Sequence, residues 1–211
     1  MITFVAIISF FLPAVSAQEP SPSDVLEKIR SRYSLINDAS ATFTQTVKMR
    51  FKKTSQQASG TVKIKKGNKY RLDTDQQTIV TDGKTVWMYN PNSRQVLKDR
   101  YKQNRQPFSP DKFLLGLPKE FSATNLEKDS QYYVLSLQPA KTSTTSSVIT
   151  ALKIWVNPGT WFFEKIEITD KNNTTTMVTL TNIGFNTGIP DKEFQFEILA
   201  DMKLVDLTTI Q

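Results

Sequence analysis

The chain has no cysteine and no histidine among its 211 residues. Without cysteine there are no disulfides, so apolar packing alone must stabilise the fold. The same absence removes the thiol to which a bacterial lipid anchor would be attached. Losing both residue types also excludes imidazole–thiolate zinc sites, Ser-His-Asp triads and Cys-His dyads. Acidic residues are the minority, 20 against 27 Lys and Arg, for a formal net charge of +7. That excess either favours anionic headgroups or an acidic partner, or it simply solvates the surface. Long hydrophobic runs are missing too. The apolar stretch Ile2 to Val15 falls short of the roughly 20 residues that a membrane-spanning helix needs.

That stretch is followed by Val15-Ser16-Ala17, a small-x-small pattern that predicts signal-peptide cleavage after Ala17, although no Lys or Arg precedes it. Residues 1–17 are then a targeting segment, and 18–211 form one domain of a size at which β-barrels often remain a single unit. The mature part opens on a helix. Ser21-Pro22-Ser23-Asp24 supplies an N-cap, a proline at the first helical position and a capping-box acid. Val25, Leu26, Ile29, Tyr33 and Ile36 then recur at three- and four-residue steps, an apolar stripe that must lie on something.

From Ala41 the period becomes two. Phe43, Val47, Met49 and Phe51 alternate with threonines, Lys48 and Arg50, with Gln45 the one polar intruder, so a long strand with one buried face is predicted. Val62 and Ile64 continue the pattern, and Tyr70 and Leu72 share a face after a turn at Gly67-Asn68. Further strands are predicted at 132–138, 148–156, 161–169, 174–183 and 193–199, with a tail in which Met202, Leu204 and Leu207 can pack. Ser109-Pro110-Asp111 caps a short helix carrying Phe113, Leu114, Leu115 and Leu117, apolar nearly all round and suited to a plug or lid. About nine or ten strands can be counted.

The most telling stretch is Ile79 to Pro91. Asp82-Gly83 makes a hairpin turn, and the strand after it has large apolar groups on both faces: Trp87 and Tyr89 on one, Val86 and Met88 on the other. One face can be core. The other must meet a helix, a partner or an apolar cavity. The supply of 13 Phe, 6 Tyr and 3 Trp fits a packed core or the lining of a hollow, and periodicity does not choose between them.

Other chemistry is weak. Gly83-Lys84-Thr85 lacks the upstream glycine of a phosphate-binding loop. Ser109 and Lys112 have serine–lysine spacing without its supporting motifs. Asp73 and Asp75, on one strand face, are an acid–base pair, weak calcium ligands or, with no third ligand or cleft evident, solvated carboxylates. The lysines from Lys63 to Lys69 alternate with core residues, which argues against nucleic acid.

The Asp82-Gly83 hairpin resembles the signature of the LolA family of periplasmic lipoprotein carriers. Ala41-Thr42-Phe43-Thr44-Gln45 is similar to that family's first strand, and Gly60 to Leu72 to its next strand pair. Asn182, Asn186, Ile189-Pro190 and Phe194 to Phe196 are similar to its closing segment. The resemblance implies a mainly β fold: an incomplete, half-open antiparallel β-barrel of about eleven strands, with an N-terminal helix and a short helical lid. It implies a soluble periplasmic chaperone, not an enzyme and without a cofactor. Such a chaperone takes acylated lipoproteins from an inner-membrane ABC-type extractor and passes them to an outer-membrane receptor. It is a monomer that binds no nucleic acid and does not insert stably in the membrane. The lipid-anchored receptor shares this fold, and the missing cysteine favours the soluble member. The alternative on the same scaffold is a lipid-binding or envelope-stress-sensing module that does not transport lipoproteins.

On this reading the acyl-chain cavity and lid comprise Phe43, Val47, Met49, Val62, Ile64, Tyr70, Leu72, Trp87, Tyr89, Phe113, Leu114 and Leu117, around an interior that is greasy and partly vacant. The family's lid latch, an Arg followed by Pro, maps onto Lys66-Gly67. Lys66 is then either a latch with a point charge in place of a planar fork, or a solvated turn residue.

Overall fold

The computed structural model describes residues 19–51, 54–102, 115, 117, 119–143 and 145–209. The predicted signal segment, the cap at Ser109 to Lys112, and Phe113 and Leu114 of the predicted lid lie outside the described residues.

The chain opens with helix α1, Pro22–Ser34. The capping box forms as its sequence dictates: the Ser21 hydroxyl accepts from the Asp24 N–H at 3.2 Å, and Asp24 accepts in turn from the Ser21 N–H at 3.1 Å. The Ser21 hydroxyl, which donates to the Asp24 carboxylate at 2.7 Å, and then the Ser21 N–H hold that carboxyl below its ordinary value. Val25, Leu26, Ile29 and Tyr33 are all buried, the stripe that the spacing predicts.

Twelve strands follow among the described residues: β1 Asp38–Lys48, β2 Ser55–Lys65, β3 Lys69–Thr74, β4 Thr78–Asp82, β5 Thr85–Asn90, β6 Gln95–Arg100, β7 Phe121–Lys128, β8 Tyr133–Pro139, β9 Ile149–Val156, β10 Phe163–Asp170, β11 Thr175–Phe185 and β12 Lys203–Asp206. They form one sheet in the order β12-β6-β5-β4-β3-β2-β1-β11-β10-β9-β8-β7. The sheet is open, with β12 and β7 at its edges, so the barrel is incomplete as expected. Among the described residues the pairings are antiparallel except β12 on β6.

Register assigns the faces. Phe43 opposes Leu180, Ala41 opposes Val62, and Val62 opposes Leu72. Directly opposed residues project to the same side, so these side chains share the face on which α1 lies. It continues through Ile166, Ile154, Leu152 and Leu135 on the far strands, all buried.

Several sequence expectations shift. β1 stops at Lys48, so Met49 lies beyond the strand and Phe51 sits in the hairpin turn, 89% exposed where alternation had it buried. Alternation cannot tell where a ladder runs out. Trp161, predicted to begin a strand, instead lies before β10 with φ of 63°, because the turn after Asn157 takes two residues more than the apolar run suggests. Residues 193–199 form no strand: a 3₁₀ turn, Asp191–Phe194, and irregular chain lie there instead, and pairing resumes only at β12.

Candidate functional site

The site is the concave face of the sheet with α1 as its cover. One cross-strand row runs along this face in register: Ala41, Val62, Leu72, Ile79, Met88 and Leu97, from β1 to β6. Ala41 and Val62 are buried; Leu72, Ile79, Met88 and Leu97 keep partial exposure. Those four apolar side chains are the partly exposed end of the row.

α1 is held over this face at four points. In its last turn, the Tyr33 ring stacks on Phe163 at 5.2 Å and meets Phe162 edge-on at 5.2 Å. The Tyr33 hydroxyl accepts the Phe163 N–H at 3.2 Å. Burial pushes that hydroxyl's pKa far up, so it stays protonated. Toward the β7 edge, Arg30 donates to the carbonyls of Phe121 at 2.6 Å and Lys119 at 3.3 Å. On the exposed side, the Lys28 ammonium sits 4.0 Å from the centre of the Trp161 ring, which itself stacks on Tyr133 at 5.6 Å.

The fourth point is Lys66. Its ammonium donates to the carbonyl of Ser34, the last residue of α1, at 3.1 Å, and to Asn37 Oδ1 at 3.2 Å. A cation at a helix C-terminus faces the negative end of the helix dipole. Lys66 is exposed, which weakens each bond in solvent.

The turn from α1 into β1 is pinned by the closing motif of the sequence. Asn186, at φ of 54°, accepts from the Asn37 N–H at 2.7 Å and donates to the Leu35 carbonyl at 3.2 Å. The buried Asp38 carboxylate accepts from the Thr187 and Gly188 N–H groups. These asparagines and the aspartate set where the helix joins the sheet.

The described side chains under α1 pack against one another. Between Tyr33, Phe163 and the β1, β2 and β11 side chains, an apolar cavity of about 10 Å³ remains, the room of about one water. Tyr33 and its neighbours on α1 pack directly on these strands.

The expected cavity residues divide. Phe43, Val62, Ile64 and Tyr70 are buried on the concave face, with Leu72 half-buried beside them. Val47 lies farther along β1 and is half-exposed, Met49 lies past the strand, and Leu117 is buried within the same core. Trp87 and Tyr89 are on the opposite, outer face: Trp87 pairs with Val80 and Lys98, residues one step out of phase with the concave row. They cannot line one cavity with Val62 and Leu72.

What covers that outer face is the C-terminal segment. Phe194 is fully buried, and Phe196 meets Tyr89 at 5.7 Å between ring centres. Lys65 and Lys69 both pair with Asp191 at 2.7 Å, and Lys63 pairs with Glu193 at 2.7 Å. The Asp191 carboxyl is thereby pulled down to about 2. An open groove of about 720 Å³ remains there, between Arg71, Thr78 and Tyr89 on one side and Phe196, Leu199 and Met202 on the other.

Asp73 is engaged by Arg71 at 2.7 Å and by the Thr78 hydroxyl at 2.9 Å, while Asp75 is exposed in the turn beyond β3. No cluster of three potential metal ligands occurs among the described residues. Sequence reasoning missed Arg30, Trp161, Phe162 and Phe163. The run Trp161-Phe162-Phe163 was a visible signal, three consecutive aromatics too many for an alternating strand.

An outer-membrane lipoprotein carrier protein of Haemophilus influenzae is 30% identical over 184 residues, 83% of this chain and 83% of its own. One from Pasteurella multocida is 38% identical over 91 residues, and that match spans 44% of its length. Among solved structures, an uncharacterized conserved protein from Thermus thermophilus superposes with a TM-score of 0.55 at 10% identity, over 85% of this chain and 98% of that one. At such identity the likeness is one of fold. No helix among the described residues is long and apolar enough to cross a membrane. The profile of the outer membrane lipoprotein carrier protein LolA matches residues 34–197, and the chain belongs to that family.

Proposed function

We propose that the protein is a soluble periplasmic carrier of acylated lipoproteins, in which α1 swings off the concave face and acyl chains take its place. The observation that carries this reading is the continuous apolar row from Ala41 to Leu97, buried under α1 at one end and partly open at the other. Inner-membrane extractor and outer-membrane receptor are the partners that such a carrier serves.

Magnitudes support an exchange. Uncovering the four buried side chains of α1 costs roughly 6–12 kcal/mol at 1.5–3 kcal/mol each. Burying one acyl chain of about 15 methylenes returns roughly 12 kcal/mol at about 0.8 kcal/mol per methylene. Closed-empty and open-loaded states are therefore near balance. A carrier that must both accept and surrender its cargo needs that balance, with ligand shifting the population.

Met88 and Tyr89 test the reading, because adjacent strand residues project to opposite faces. A photo-crosslinking residue at Met88 is expected to capture acylated protein when the chain is purified from its native envelope, with identification by mass spectrometry. The outer groove is a second reading, favoured by its larger volume: capture at Tyr89 and not at Met88 would move the cargo there. Free phospholipid or glycolipid at Met88, without protein, would support a lipid-binding module in place of the carrier.

A further inference from the structure

The β1–β2 hairpin outruns its neighbour. β1 and β2 pair as far as Lys48 and Ser55, whereas the β2–β3 ladder ends at Gly60 and Thr74. Ser55 to Ser59 therefore extend past β3, about 17 Å of strand at roughly 3.4 Å per residue. At the tip stands Phe51, 89% exposed and the most exposed large apolar side chain among the described residues. Lys48 and Arg50 beside it are exposed, and the Arg50 guanidinium lies 5.3 Å from the Phe51 ring.

The surroundings carry one sign of charge. No Asp or Glu occurs between Asp38 and Asp73 in the sequence. The β10–β11 turn reaches the same end of the sheet through the Lys48–Thr175 pairing and adds the exposed Lys171. Its acid, Asp170, turns its carboxylate onto the N–H groups of Asn172 and Thr174, both at 2.8 Å.

A single ring at the end of a narrow hairpin is too small for a stable protein interface, which takes about 800 Å² per partner. It is enough for a bilayer surface. There an aromatic side chain settles at the headgroup level while Lys and Arg meet anionic lipid. We propose that the β1–β2 tip docks transiently on bilayers rich in anionic lipid, Phe51 entering the interfacial layer with Lys48 and Arg50 on headgroup phosphates. The docking point is separate from the concave face and stands whatever cargo that face takes.

The test is flotation of the cargo-free full chain with vesicles of phosphatidylethanolamine and phosphatidylglycerol, against vesicles of phosphatidylcholine alone. Binding to the anionic vesicles is expected, released by high salt. Arg50→Ala should weaken it about fivefold, the share of one cation near an anionic surface. Phe51→Ala should weaken it about tenfold or more. Lys84→Ala, an equal loss of charge in the β4–β5 turn, should leave it unchanged. Equal binding to both vesicle types, no binding to either, no effect of Phe51→Ala, or an equal loss from Lys84→Ala would each overturn the proposal. So would Phe51-dependent capture of an acidic protein without vesicle binding. The vesicles contain no lipoprotein, so these outcomes are independent of the crosslinking at Met88.

Discussion

Tyr33 and Phe163 fasten α1 to the sheet twice over, by ring stacking at 5.2 Å and by the Phe163 N–H donated to the Tyr33 hydroxyl at 3.2 Å. Tyr33→Phe separates the two. It keeps the stack and leaves a buried N–H without its acceptor, which costs about 1–3 kcal/mol. The loss is read from denaturant unfolding, with faster amide exchange at Phe163. If stability is unchanged, packing alone holds the helix.

Lys66→Leu removes the bonds to the Ser34 carbonyl and Asn37 at the C-terminal end of α1. Global stability should move by less than about 1 kcal/mol, because exposed charge-assisted contacts contribute little. Cargo transfer should change, and amide exchange in the last turn of α1 should quicken. Unchanged transfer in a reconstituted assay would return Lys66 to the role of a solvated turn residue.

The outer-face clasp is sensitive to acid. The Asp191 carboxyl sits at about 2 in the folded chain against an ordinary value near 3.8, first because Lys65 and then because Lys69 donates to it. Glu193 is lowered in the same direction by Lys63. A depressed folded pKa means that the contribution is complete above the unfolded value and fades as pH falls through the folded one. Between pH of about 4 and 2, residues 189–197 should lose amide protection, and Asp191→Asn should show reduced protection already at neutral pH. A segment equally protected in both proteins across that window would show that Phe194 alone secures it.

Gly60 is expected to tolerate no side chain. A Cβ there would sit on the Asp73 carbonyl oxygen of the neighbouring strand and press on the Phe43 ring at 3.2 Å. Gly60→Ala should destabilise by about 1–3 kcal/mol or more, because backbone in a paired ladder cannot yield cheaply. A thermal midpoint within a degree or two of the parent would mean that the two strands can separate locally at no cost.

Local chemistry was legible in the sequence where local forces decide. The Ser21–Asp24 box starts α1, and Gly83 turns the chain at φ of 91° directly after Asp82, which itself stays in β4. The two-faced apolar strand Val86–Tyr89 did announce a covering layer on each side, and the second layer is the Phe194–Phe196 segment. Its identity was not legible, because period two gives faces within a strand and not which distant segment covers them. The same gap misplaced Trp87 and Tyr89 in the concave cavity. β12 on β6 is a parallel pairing between segments about a hundred residues apart, and nothing local signals it. Aromatic abundance left core and cavity undecided, because a ring packs on another ring as readily as on a ligand; Tyr33 packs on Phe162 and Phe163.

The central claim is that α1 and cargo compete for the concave face. Amide exchange across Val25–Tyr33, measured on the empty chain and on the chain saturated with an acylated lipoprotein, tests it most directly. Loading should strip protection from α1 while the β1–β2 ladder stays protected. Equal protection of α1 in both states, with cargo demonstrably bound, would contradict it.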